Sequence, residues 1–90
     1  MTTIAVHKLD ESTFEVTVEG GAITTHTVQV DPEYAAKLTG GKVPVETLVT
    51  RSFDFLLERE PNTSILRRFD LPMIGAYFPE YERTIRAMLS

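Results

Sequence analysis

The sequence contains no cysteine. Disulfides and thiolate metal sites are therefore excluded, and the apolar core alone must hold the fold. No apolar run approaches the roughly 20 residues of a membrane-spanning helix, so no membrane partner is expected. The opening segment MTTIAVHKLDES lacks the basic flank and long apolar stretch of a secretory signal. A cytoplasmic, prokaryotic-style protein is the plain expectation. There is no internal repeat, no low-complexity linker and no phosphate loop: neither Gly20-Gly21 nor Gly40-Gly41 is followed by the Gly-Lys-Ser/Thr that such a loop requires.

What is present fits one small domain. Ninety residues leave no room for two independent cores, and 42% apolar with 24% charged residues is ordinary for a globular protein. The net charge of −4 is unevenly spread. Residues 1–31 carry one lysine against five acids, whereas residues 61–90 carry four arginines against three acids. An acidic chain is not steered as a whole toward nucleic acid, and only its last third could be.

The first third reads as strands. TFEVTVE alternates, with Phe14, Val16 and Val18 on one side, and ITTHTVQV is rich in β-branched residues. Turn length follows from parity. A two-residue loop at Gly20-Gly21 would put Val28 and Val30 on the face opposite Phe14 and Val16. A three-residue loop, Gly20 to Ala22, pairs Val18 with Thr24 and Val16 with His26, gathers the apolar residues on one face, and leaves a glycine for a left-handed position. The same test on the first turn favours a loop of Asp10 to Ser12, with Ile4 opposite Val18. The expectation is an antiparallel three-stranded meander over residues 1–31, with a helical part over 32–90.

Asp31-Pro32 is a helix opening, and PEYAAKLT stops at Gly40-Gly41. VPVETLVTRSFDFLLERE is the strongest helical pattern. Val45, Leu48, Val49, Ser52, Phe53, Leu56 and Leu57 recur at helical spacing, and Phe55 widens the apolar arc to about 200°. This helix must be covered on two sides. The sheet supplies one cover, and only short pieces and a last helix beginning at Pro79 can supply the other. The fold class is α+β: a three-stranded antiparallel meander packed on a long amphipathic helix, with short C-terminal helices covering that helix.

FDFLLEREPNTSILRRFDLPMIGAYFPEYE, spanning Phe53 to Glu82, resembles the closing motif of a group of small uncharacterised prokaryotic proteins. The resemblance implies a shared fold and carries no activity.

Catalytic and metal chemistry find little support. His7 and His26 point to opposite faces of the proposed sheet and cannot share a metal, and further ligands are missing. Burial of His26 against Val16 makes His26→Val neutral or mildly stabilising on this reading. Ser52 and Ser64 lack a nucleophile elbow. Glu58 with Glu60, and Glu80 with Glu82, are two apart on a helix and do not face each other. No cofactor and no metal are expected.

The arginines are more suggestive. All three lysines precede residue 43 and all six arginines follow residue 50, among six acids. Internal ion pairs account for most of them. Arg67 and Arg68, beside Phe69 and close in sequence to Tyr77 and Tyr81, form the candidate binding set. The leading expectation is a non-catalytic protein-interaction module that self-associates as a homodimer, through the third strand (uncharged from Ala22 to Val30) or through the long helix. The alternative is a nucleic-acid or anion-binding accessory protein using Arg67 and Arg68, although DNA binding would want more uncompensated positive charge. A small-molecule-binding enzyme is the third.

Overall fold

Alternation along the first third builds a sheet. In the computed structural model, which describes residues 2–89, β1 (Thr3–Lys8), β2 (Thr13–Glu19) and β3 (Ile23–Gln29) form an antiparallel meander. Val18 pairs with Ile4 and Thr24, and Val16 with Val6 and His26, which is the register that parity requires. Phe14, Val16, Val18 and Val28 are buried on one face, and the side chains of the other face are exposed or half-buried. The reason differs in one respect from the sequence argument. Neither Gly20 nor Gly21 adopts the left-handed conformation, so the second turn does not need glycine for that purpose.

The left-handed glycines lie elsewhere, at Gly40 and Gly41, where they end α1 (Pro32–Thr39). Gly40 donates its N–H to the Ala36 carbonyl, and Asp31 caps the other end by accepting from the Glu33 N–H at 2.9 Å. α2 (Val45–Leu57) follows.

The sheet has a fourth strand that the sequence reading lacks. β4 (Arg68–Asp70) pairs with β3 in parallel, giving a mixed sheet in the order β1-β2-β3-β4. Thr27 donates to the Arg67 carbonyl at 2.7 Å, and Leu71 donates to Gln29 at 2.9 Å. Three residues with one inward side chain, Phe69, offer no alternation to read. The consequence is that β3 is not a free edge over Thr27–Gln29, so the strand-pairing route to a dimer loses much of its ground.

Two short helices, α3 (Met73–Tyr77) and α4 (Tyr81–Leu89), complete the chain. Phe53 and Phe55 show how α2 is covered twice. Residues two apart on a helix point about 200° apart. Phe53 reaches His26 and Phe69 on the sheet side, at ring separations of 5.4 and 6.1 Å. Phe55 packs edge-on against Phe78 and Tyr81, at 5.8 and 5.3 Å. The C-terminal strap is therefore the second cover.

Candidate docking groove

The strap, residues 61–89, is tied to the sheet at its start by a buried polar chain. Asn62, in a 3-10 turn over Asn62–Ser64, donates its side-chain amide to the Ala22 carbonyl at 2.9 Å and the Thr24 hydroxyl at 3.0 Å. Thr24 Oγ1 lies 2.9 Å from His26 Nε2, and His26 Nδ1 lies 2.8 Å from the Leu66 carbonyl. A carbonyl can only accept, so Nδ1 carries the proton and Nε2 accepts from Thr24. A neutral histidine completes the chain. Burial indeed pulls the His26 pKa below its ordinary value; the Leu66 carbonyl opposes this and the Arg67 charge adds to it. The expectation that His26→Val is neutral must be reversed, because valine would strand both Leu66 and Thr24.

Tyr81 is anchored in the same manner. Its hydroxyl lies 2.6 Å from Ser52 Oγ, which is itself 2.7 Å from the Leu48 carbonyl. Ser52 has one proton and gives it to Leu48, so Tyr81 donates to Ser52. Burial raises the Tyr81 pKa. Ser52 is thus a structural hydroxyl on the inner face of α2.

Between the end of α2, the strap and α3 lies a groove of about 340 Å³. This sits at the small end of ligand clefts, which run roughly 300–1,000 Å³. Leu56, Ile65, Phe69 and Ile74 are its buried apolar lining, and Leu66, Met73 and Tyr77 line it with exposed side chains. Two polar residues, Glu60 and Ser64, complete the lining together with Phe78. The geometry of α3 sorts its residues. Met73 and Tyr77 are four apart on one side, while Ile74 and Phe78 hold the same spacing on the side toward the core.

The described residues contain five large apolar side chains that are exposed, and three of them, Leu66 (47%), Met73 (38%) and Tyr77 (68%), line this groove. The other two, Leu9 and Ile23, lie beside or at the end of hairpin turns. Of the candidate binding set Arg67, Arg68, Phe69, Tyr77 and Tyr81, Phe69 and Tyr77 line the groove. Tyr81 is fully buried. Arg67 and Arg68 are both exposed and do not line it. Arg68 sits on the outer face of the sheet beside Thr27, whereas Arg67 lies within electrostatic reach of His26. Successive residues of an extended chain point to opposite faces, so the two do not act as one clamp.

No carboxylate pairs with Arg67 or Arg68 among the described residues; the ion pairs instead use Arg51 with Asp54, Lys37 with Glu82, and Arg59 with Glu58 and Glu80. Arg59 is the embedded cation. Its guanidinium lies 3.5 Å over the Phe55 ring and donates to the Phe55 carbonyl at 2.9 Å. Its position four residues after Phe55 on a helical pattern was the available signal. His7 stands opposite Glu15 on the outer face, without an ion pair between them. Among the described residues no group of three or more His, Asp or Glu could hold a metal ion, and no helix is long and apolar enough to cross a membrane.

No family model, no curated protein and no solved structure matches the chain. The resemblance carried by Phe53 to Glu82 therefore rests on those residues alone.

Proposed function

We propose that this protein is a non-catalytic interaction module that receives a partner's apolar side chain in the groove between α2 and α3. The observation that carries this reading is the gathering of Leu66, Met73 and Tyr77 at one concave site. Exposed apolar residues scattered singly need no explanation, but a contiguous patch around a cleft marks a binding surface. The buried polar groups are engaged in the core: His26 with Thr24 and Leu66, and Ser52 with Tyr81 and Leu48. Self-association through β3 has less support than the sequence offered, since β4 occupies part of that edge, and the β1 edge carries Lys8, a common deterrent to strand pairing.

Site-specific photocrosslinking in the native host tests the reading. A photoreactive phenylalanine analogue at position 73 should give a discrete adduct with a second protein, and the same analogue at position 25 on the open sheet face should not. Equal labelling from both positions, or no adduct from position 73, would reject it.

A further inference from the structure

The groove has a chemical polarity that specifies its occupant. Glu60 lines it half-buried and has no ion-pair partner among the described residues. It follows the C-terminus of α2, the negative end of the helix dipole. α2 carries no basic residue in its last turn to offset that charge. Arg59 comes next, but it is shared between Glu58 (3.5 Å) and Glu80 (3.3 Å) as well as the Phe55 carbonyl. Glu60 is thus the one charged side chain in the lining of an otherwise largely apolar cleft.

We infer that the groove takes a peptide segment of a partner protein in which an aliphatic or aromatic anchor is followed or preceded closely by lysine or arginine. The anchor fills the space bounded by Leu66, Met73 and Tyr77, and the cation meets Glu60. An acidic residue at the same place would be repelled by Glu60 and by the end of α2, so the charge selects between partners as well as attracting one. Arg67 and Arg68 lie outside the lining, which leaves Glu60 as its charged residue. The inference rests on the groove being the docking surface, and it adds the chemistry of what docks.

Selection from a displayed library of random dodecapeptides tests it on the full chain. The enriched peptides should share an apolar anchor within four residues of a lysine or arginine. Replacing that base by glutamine in the peptide, or Glu60→Gln in the protein, should weaken binding by up to about fivefold, the scale of one partly exposed ion pair. Neither change should move the thermal midpoint of the protein. Against Glu60→Lys, selection should switch to acidic peptides. Enrichment of apolar peptides without a basic preference, or a basic preference that survives Glu60→Lys, would overturn the charge inference while the groove reading stood. Peptides that bind Leu66→Ser and Tyr77→Ser proteins undiminished would overturn the groove reading itself, and a library yielding no binder would count against both.

Discussion

The meander and the C-terminal strap treat their apolar residues differently. In β2 and β3, Phe14, Val16, Val18 and Val28 all point inward, and the outward positions are mostly Thr, Glu and Gln. In the strap, Ile65, Phe69, Leu71, Ile74, Tyr81 and Ile85 point inward while Leu66, Met73 and Tyr77 stay exposed. The sheet spends its hydrophobicity on folding. The strap carries more than the core can take, and the excess collects at one site.

The largest test of that division is removal of the strap. Truncation after Glu60 deletes β4, α3 and α4, strips Phe78 and Tyr81 from Phe55, and should abolish cooperative unfolding by circular dichroism. Each large side chain withdrawn from a core costs about 3 kcal/mol or more, and a domain of this size has roughly 5–15 kcal/mol in total. A truncated chain that unfolded cooperatively would show the strap to be an appendage.

His26→Val probes the join between the two regions. It leaves the Leu66 carbonyl without its side-chain donor and the Thr24 hydroxyl without its acceptor, and should destabilise by about 1–3 kcal/mol in urea unfolding. A neutral result would mean that the strap is held by its apolar contacts alone.

The same join should be sensitive to acid. Burial depresses the folded pKa of His26, so the unfolded chain binds the proton more readily, and Arg67 is the charged group that faces it. The stability from a neutral His26 is fully present above the ordinary histidine value of 6.5 and is lost as pH falls below it toward the folded pKa. Asp10 and Glu80 also have lowered pKa values, from backbone hydrogen bonds first, but their effects fall below the ordinary values of 3.8 and 4.5. Urea midpoints should therefore drop between pH 6.5 and 5 in the native protein, and by less in His26→Val.

The smallest effect is expected from Arg67→Ala with Arg68→Ala. Both side chains are exposed and neither has a carboxylate partner, so stability should change by no more than about 0.5 kcal/mol. Binding at the groove should also persist, as neither residue lines it. Loss of binding in that variant would move the site to the sheet edge.

Legibility in the sequence follows the same boundary. Period-two alternation and turn parity give the register from Ile4 to Val28, because a one-residue slip would turn every apolar side chain outward. The caps of α1 are equally plain in Asp31-Pro32 and Gly40. The wide arc of α2 announces a second cover, and Phe78 and Tyr81 supply it by packing on Phe55. What is hidden depends on contacts far apart in the chain. β4 exists because β3 has an edge to offer, and Asn62 matters because its amide reaches Ala22 and Thr24. The division between Ile74 and Met73 needs the path of α3, which Pro72 and Pro79 bracket but do not orient. The adjacent arginines at 67 and 68 are the more visible pattern in the sequence, while the groove is lined by Leu66, Met73 and Tyr77.

Tyr77 and Tyr81 hold the central claim between them, four residues apart with opposite exposures of 68% and 0%. The decisive measurement pairs thermal unfolding with photocrosslinking from position 73 in Tyr77→Ala and Tyr81→Ala. Tyr81→Ala empties the space beside Phe55 and frees Ser52, and should cost about 3–5 kcal/mol. Tyr77→Ala should stay within about 1 kcal/mol of the native protein, as expected of an exposed side chain, yet lose the adduct. A Tyr77→Ala protein that unfolds early, or one that keeps the adduct in full, would contradict the separation of a structural from a binding surface.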